Sequence, residues 1–259
     1  MNEARRRALG LTIGALLLAL GSPAHAYTLK AAPTGAAVRW HRPTVALEVM
    51  DTSPGALPRS ELVNAMRRAA ASWNALPDTP SLEVVEGGSS SRGADGVNGV
   101  YLLDRWPFPD ERLAVTVSTY VEGTGELIDT DILINGEMEL AVLDPEGTDD
   151  DRYDLVLVLT HELGHVLGLD ESEVVEATMW HRIGRGETTR RELATDDVDG
   201  ALALYPTAHF AREEAGGGCS VVASGVPGRM PLALVVALVA FFVRRLSGDR
   251  GRARRAGCA

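Results

Sequence analysis

Alternating apolar and polar positions predict a β-sheet in the first half of the chain. Residues 44–50 alternate and are rich in β-branched side chains, a pattern typical of a strand with one face buried. Comparable short runs follow it along the chain. They occupy residues 82–85, 100–103, 113–120 and 127–134. We therefore expect five strands, joined by turns and loops that are rich in glycine, proline and polar residues.

Apolar residues at intervals of three or four predict helices between and after these strands. The first spans residues 60–76, and its apolar face is a packing stripe. A second helix can begin after Asp154, whose side chain can cap it, and run to Gly168. The third is predicted to have Thr195 as its N-cap and to end before Pro206.

The first 26 residues differ from the rest of the chain. Three arginines at positions 5–7 precede an apolar run over residues 8–20, and Ala24-His25-Ala26 forms a small-x-small site before Tyr27. This order is typical of a secretory signal peptide. We predict a cleaved signal peptide over residues 1–26 and a folded domain over residues 27–210. An uncleaved anchor is the alternative.

The C-terminal end carries a second targeting pattern. Residues 211–220 read as a linker that contains Cys219, residues 221–243 are apolar except for Arg229, and residues 244–259 are rich in arginine. The apolar part is long enough to span a membrane, and the arginines behind it predict a cytoplasmic tail with the domain outside. The pattern resembles the Cys–apolar–Arg sorting tails (MYXO-CTERM type) of some Gram-negative surface proteins. That resemblance implies cutting by a sorting protease at or near Cys219; a plain anchor with an incidental cysteine stays open.

The charge excludes one class of partner. The chain has 25 Lys and Arg against 36 Asp and Glu. Without the two ends, residues 27–218 hold 15 basic and 34 acidic residues, a net charge of −19. A nucleic-acid binder needs a surplus of basic residues against the phosphates, so we expect no nucleic-acid partner. The only cysteines of the sequence, Cys219 and Cys258, lie in the tail, which excludes a catalytic thiol in the domain.

The clearest chemical motif lies in the predicted second helix, within the sequence HELGHVLGLDE of residues 161–171. His161 and His165 are four apart and therefore share one helix face, where two imidazoles can reach one Zn²⁺ ion. Glu162 can act as the base toward a metal-bound water. Gly168 can adopt a left-handed conformation, end the helix and turn the chain back toward the metal.

These residues resemble the metzincin zinc metalloproteases, and among them the matrixins. His161, Glu162, His165 and Gly168 match the family pattern, and Ala177-Thr178-Met179-Trp180 is similar to the Met-turn beneath the zinc. Residues 196–206 are similar to the closing helix of the family. The resemblance implies an α/β zincin fold: a twisted, mixed five-stranded sheet, two long helices, and a small C-terminal subdomain with the Met-turn and the last helix. Met179 and Gly168 would then be structural supports of the site.

The third metal ligand departs from the usual pattern. The family places a ligand, usually His and sometimes Asp, three residues after the glycine, and this chain has Glu171 there. Glutamate is a known zinc ligand beside two histidines. Asp170 is an alternate because it is adjacent, and His181 is another because it lies two residues after Met179. All three possibilities stay open at this point.

Together with the predicted signal peptide and C-terminal tail, the resemblance implies a secreted, surface-anchored zinc endopeptidase that hydrolyses protein or peptide substrates, with Glu162 as general base. The alternative is a metzincin-like surface module with little or no catalysis, since the third ligand is substituted. Calcium is a further candidate cofactor, because residues 144–151 form an oxygen-rich acidic loop. The ordered ligand spacing of an EF-hand is missing from that loop, and a solvated charge run is the alternative.

Overall fold

A twisted mixed sheet forms the centre of the molecule. The computed structural model describes residues 26–52, 57–88, 92–146, 151–207, 209–210 and 234–235. Five strands match the five sequence runs within two residues at each end, and they form the α/β fold that the sequence predicts. They are β1 (Thr44–Val49), β2 (Ser81–Glu86), β3 (Asn98–Leu103), β4 (Ala114–Val121) and β5 (Leu127–Asn135).

Strand order places one antiparallel strand near the end of an otherwise parallel sheet. The order is β2-β1-β3-β5-β4, and only β4 runs antiparallel, beside β5. Three two-residue strands complete the set of described strands. The strands β6 (Leu140–Ala141) and β7 (Tyr153–Asp154) pair with each other, and β8 (Leu234–Val235) pairs with β4 at Tyr120 and Val121.

Three α-helices are described, and two of them pack together against the sheet. They are α1 (Arg59–Asn74), α2 (Leu155–Leu167) and α3 (Thr195–Leu204), and a single 3₁₀ turn covers Thr189–Arg191. The Trp73 indole of α1 donates to the Thr160 carbonyl of α2 over 2.8 Å, so the two long helices are joined by a buried hydrogen bond. The core lies between them and the sheet.

The helix ends agree with the sequence at α2 and differ at α3. The Asp154 side chain accepts from the Leu157 N–H over 2.8 Å, and Gly168 ends α2 with a φ of 105°. Thr195 was predicted as the N-cap of α3, and this prediction is wrong. Ala194 is the N-cap, and its N–H is bound by the Asp197 carboxylate over 2.8 Å. That carboxylate replaces the hydroxyl that the prediction assigned to this helix end.

The last carbonyls of α2 are bound by parts of the chain that are far away in sequence. A helix leaves its final four carbonyls without partners of its own. Here Lys30 Nζ donates to His165 O, Trp40 Nε1 to Val166 O and Tyr205 Oη to Leu167 O, while the Lys30 N–H donates to Gly168 O. Residues 27–43, which show no clear periodicity in the sequence, thus hold the end of α2.

Several predictions fall on residues outside the described part of the chain. These are the signal peptide before residue 26, almost all of the C-terminal linker, apolar segment and basic tail, and residues 147–150 of the acidic loop. Among the residues that the structure describes, no helix combines the length and the apolar character needed to cross a membrane. The terminal assignments and the calcium site stay predictions.

Candidate metal centre

The two histidines of the motif lie side by side on α2, with no exposed surface. Their ring centroids are 4.8 Å apart and their planes are perpendicular. Each ring is held from behind by a main-chain carbonyl: Nδ1 of His161 lies 2.9 Å from Thr178 O, and Nδ1 of His165 lies 3.0 Å from Leu169 O. A carbonyl only accepts, so each Nδ1 must carry the proton and each Nε2 presents a lone pair.

Glu171 reaches the same point as the two Nε2 atoms. Its Oε2 lies 3.9 Å from His161 Nε2, and its Oε1 lies 4.0 Å from His165 Nε2. Among the described residues these three form a group whose ligand atoms lie within 4.8 Å of one another. The separations exceed by about half an ångström the ligand spacing around a tetrahedral zinc with bonds of about 2.1 Å. The Glu171 side chain is partly exposed, which leaves it room to move toward the two histidines.

The donor set fits a zinc ion. His161 Nε2 is buried and has no hydrogen-bond partner in the described part of the chain, which is costly for a polar atom unless a ligand fills the place. Burial lowers the pKa of His161 to about 4 and that of His165 well below its usual value. Both rings are therefore neutral at pH 7, the state in which imidazole binds a metal.

The two alternates lie close by but outside this group of three. Asp170 Oδ1 accepts the Glu171 N–H over 2.8 Å, so its carboxylate is engaged with the main chain. The His181 ring packs on Trp180, with 4.2 Å between centroids. Both line a cavity of about 640 Å³ that also includes Glu171. The structure thus brings Glu171 into the group with the two histidines, and Asp170 and His181 line the same cavity outside that group.

Glu162 is fully buried next to the histidines, under strand β4. The Thr116 hydroxyl donates to its Oε2 over 2.6 Å, while Oε1 has no hydrogen-bond partner among the described residues. Burial raises the pKa of Glu162 to about 7, and the Thr116 hydroxyl acts in the opposite direction. A carboxylate with this pKa can both take and return a proton near neutral pH.

Met179 lies beneath the metal-binding face of α2, on the side of the core. It is buried, and its Sδ occupies the space that a Cβ on Gly164 would need, beside the Trp73 ring. Only glycine at position 164 therefore allows Met179 to pack this close to the helix. No ligand role follows for Met179; its contact supports α2 from below.

Asp197 is a supporting residue whose role the sequence did not predict. Its carboxylate accepts the N–H groups of Thr178 (2.8 Å) and Met179 (3.0 Å). The carbonyl of Thr178 in turn holds the His161 ring. Asp197 therefore positions the first histidine through the Met-turn. The only signal in the sequence was that Asp197 lies in the segment similar to the closing helix of the family. The contact itself could not be predicted, because it joins residues that are 18 and 19 apart in sequence.

Lys30 is a second residue that sequence reasoning missed. Its ammonium is buried, and it donates to His165 O over 3.1 Å and lies 3.5 Å from Ser118 Oγ. Burial lowers its pKa to about 8, while the nearby carboxylates of Asp170, Glu162 and Glu171 act against that change. At neutral pH the ammonium thus adds positive charge beneath a site rich in carboxylates. Nothing in the local sequence pattern indicates this role.

Comparisons with known proteins agree with the geometry. Residues 102–206 match the family model described as Matrixin. Stromelysin-1 of Mus musculus is 29% identical over an alignment of 180 residues that covers 65% of this chain and 33% of the relative. Metalloendoproteinase 1-MMP of Arabidopsis thaliana is 30% identical over an alignment of 171 residues that covers 64% of this chain and 44% of the relative.

The chain spans less than half the length of these curated relatives. The match includes α2, the turn that carries Met179 and α3, but it begins within β3. The comparisons support a matrixin-like metalloprotease at the level of the family, and members of this family use zinc.

Proposed function

We propose that this protein is an exported zinc endopeptidase, held at the cell surface, that cleaves extended segments of protein substrates. The observation that carries the proposal is the group formed by His161, His165 and Glu171, with the buried Glu162 beside it. Two neutral imidazoles and one carboxylate would hold the ion. When bound there, zinc supplies a Lewis acid that polarises the scissile carbonyl and acidifies water.

Glu162 would carry the proton during hydrolysis. Its Oε1 takes a proton from the attacking water, and the protonated carboxyl then gives it to the amine that leaves. Main-chain carbonyls keep both histidine rings in the orientation that presents Nε2 to the cleft. The Asp197 carboxylate, through the Met-turn, keeps the first of those carbonyls in place.

Strand β4 offers a docking edge for an extended substrate. One side of β4 is paired with β5, and on the other side only Tyr120 and Val121 pair with a described strand. Residues 114–119 have no other described strand on that side, although most of them are buried, and we infer that an extended peptide pairs with their main chain there. Thr116, in the middle of this stretch, touches Glu162, so a peptide bound along β4 passes the proposed base.

The location of the protein is part of the same proposal. The signal peptide over residues 1–26 would export the chain. The apolar segment over residues 221–243 would anchor it, or a sorting protease would process it at or near Cys219. The domain then lies outside the cytoplasm, where protein substrates are available. Labelling of intact cells with a membrane-impermeant reagent tests this part, since a domain protected from the reagent would contradict it.

The catalytic proposal is tested with the full chain loaded with zinc. We expect the wild type to cleave unstructured casein, and Glu162→Gln to cleave it at least about 100-fold more slowly, because the general base is lost. Glu83→Gln is the control, since it removes one carboxylate on the exposed side of β2, far from the site. It should cleave casein at the wild-type rate.

The outcomes separate the two candidate functions. Equal cleavage by the wild type and Glu162→Gln rules out the proposed mechanism. One bound zinc per chain without cleavage of any extended substrate favours the surface binding module instead. Absence of bound zinc after dialysis against zinc contradicts both.

A further inference from the structure

We infer that Thr116 is a positioning residue that assigns different roles to the two oxygens of Glu162. This inference rests on the proposed function, because it concerns the base of that reaction. The Thr116 hydroxyl fixes Oε2, so that Oε1 is the oxygen that exchanges protons with water and substrate. The argument uses the contacts of these two side chains and the burial of both.

Thr116 and Glu162 meet although they are 46 residues apart in sequence. Thr116 lies on β4, Glu162 lies on α2, and both are fully buried. Thr116 Oγ1 lies 2.6 Å from Glu162 Oε2 and 3.2 Å from the Glu162 main-chain oxygen. A hydroxyl has one proton to donate. It goes to the carboxylate, which is the closer and the charged acceptor.

The position of Thr116 on its strand makes the hydroxyl noteworthy. The neighbours Val115 and Val117 belong to the apolar cluster on the opposite face of the sheet, where Trp106 also packs. The face of β4 toward α2 carries Ala114, a core residue, and then Thr116. Valine has nearly the same shape as threonine and would avoid the cost of burying a hydroxyl. A polar group here is explained by its acceptor, the Glu162 carboxylate.

The hydrogen bond makes the two carboxylate oxygens unequal. Oε2 is occupied, whereas Oε1 has no hydrogen-bond partner among the described residues. Without the hydroxyl, the terminal torsion of the glutamate side chain is broad and roughly two-fold. A half-turn only exchanges two equivalent oxygens, so the loss would come from intermediate rotations of the carboxylate plane, in which neither oxygen has the reactive orientation. Misplacing a catalytic group by about 1 Å can cost about 100-fold in rate.

The test compares Thr116→Val, Thr116→Ser and the wild type as zinc-loaded full chains. We expect Thr116→Val to lower kcat for casein-derived peptides by about 10- to 100-fold, with KM and zinc content unchanged. Thr116→Ser keeps the hydroxyl and should recover most of the wild-type kcat. Equal kcat in Thr116→Val and the wild type would overturn the inference, as would a loss confined to KM or to zinc binding.

Thr130→Val is the matched control. Thr130 is also a fully buried threonine on the same sheet, and its hydroxyl lies 3.3 Å from Asn98 Oδ1, away from Glu162. It should lower stability by an amount similar to Thr116→Val and leave kcat unchanged. If both variants lose kcat equally, the effect of Thr116 is a general loss of packing. If Thr116→Val does not fold, the pair Thr116→Ala and Thr116→Ser provides the same comparison.

A second readout needs no catalysis. Crystal structures of the zinc-loaded wild type and of Thr116→Val show the carboxylate directly. We expect a Thr116–Glu162 hydrogen bond in the wild type and a rotated or mixed carboxylate orientation in the variant. The same carboxylate orientation in both structures overturns the inference. An ordered zinc site without any peptidase activity would contradict the proposed function, while the orientation of Glu162 would still decide the role of Thr116.

Discussion

Glu162 on α2 and the pair Asp129 and Asp131 on β5 are all buried carboxylates, but their surroundings differ. The aspartates accept main-chain N–H groups from β3 and from the loop that precedes it: Gly93 and Gly99 donate to Asp131, and Gly96 donates to Asp129, over 2.7–2.9 Å. Glu162 accepts a single side-chain hydroxyl, and one of its oxygens has no hydrogen-bond partner among the described residues.

This difference distinguishes buried carboxylates that stabilise the fold from a buried carboxylate that is able to react. Main-chain donors tie a loop to the sheet and leave the carboxylate no freedom to react. Glu162 Oε1 is buried next to three metal-ligand candidates and has no hydrogen-bond partner among the described residues. Such an atom lowers the stability of the fold, and a role in a reaction explains why it is kept. Burial is the first cause of the raised pKa at Glu162, Asp129 and Asp131 alike, so the shift alone does not distinguish the two uses. The pattern of donors does.

The largest effect is expected from His165→Ala at the metal centre. Removal of one of two imidazole ligands should reduce bound zinc from one per chain to a small fraction and abolish cleavage, because the remaining donors cannot close the site. Elemental analysis after dialysis measures this. His209→Ala is the control, since His209 is a buried histidine that lies 3.1 Å from Trp40 O. Equal zinc content in both variants would contradict the assignment of the site.

Asp197→Ala should give the next largest effect. It removes the acceptor for the N–H groups of Thr178, Met179 and Ala194. Each buried donor left without a partner costs about 1–3 kcal/mol, so we expect the free energy of unfolding to fall by about 3 kcal/mol or more. Urea denaturation of the metal-free protein measures it. Zinc affinity should fall as well, because Thr178 O holds the His161 ring; an unchanged affinity would contradict that link.

Asp131→Ala tests the structural side of the comparison. It leaves the N–H groups of Gly93 and Gly99 without their acceptor. We expect a loss of about 2 kcal/mol in the free energy of unfolding, with bound zinc and kcat unchanged. Denaturation, elemental analysis and peptide cleavage measure the three quantities. A loss of zinc from this variant would show that the loop and the metal centre are coupled, against the separation argued above.

The smallest expected effect is a change in how the free energy of unfolding depends on pH. Burial raises the pKa of Asp129 to about 6, with the charge of Asp131 acting in the same direction, and the unfolded value is about 3.9. A raised acid pKa means that the stabilising contribution is complete below about pH 4 and is lost as the pH rises through 6. Asp129→Asn should therefore be slightly more stable than the wild type at pH 8. Chemical denaturation should show this advantage shrinking toward pH 4.

Two charged neighbours bear on that prediction. Asp95 raises the pKa of Asp129 further. Burial lowers the pKa of the partly buried Arg42, and the charge of Asp129 acts against that change. If Asp129→Asn is less stable than the wild type at pH 8, the charge of Asp129 is favourable in the folded state, and the prediction is wrong.

Most of the fold could be predicted because it depends on local pattern. Alternation predicts β1–β5, and the spacing of apolar residues predicts α1 and α2. The pairing of His161 with His165 follows from helix geometry. At α3 the capping rule, which favours a hydroxyl residue at the N-cap, placed that cap one residue late, at Thr195. The N-cap is Ala194, because the Asp197 carboxylate accepts its N–H.

What could not be predicted depends on contacts between distant parts of the chain. Thr116 faces Glu162 only because β4 packs on α2, and Lys30 reaches α2 across 135 residues. Neither contact has a periodic signature. The third metal-ligand candidate could not be selected from Glu171, Asp170 and His181 for the same reason. The path of the chain after Gly168 sets the positions of these side chains, and their spacing in sequence does not reveal that path.

The carbonyls at the end of α2 have a consequence for the order of events during folding. Lys30, Trp40 and Tyr205 bind them from opposite ends of the domain. A chain that is still emerging cannot complete this helix end until residue 205 is available, and contacts so distant in sequence form slowly. Zinc uptake should therefore be a late step that requires the finished domain, and a truncation just before Tyr205 should yield a chain that fails to retain the ion.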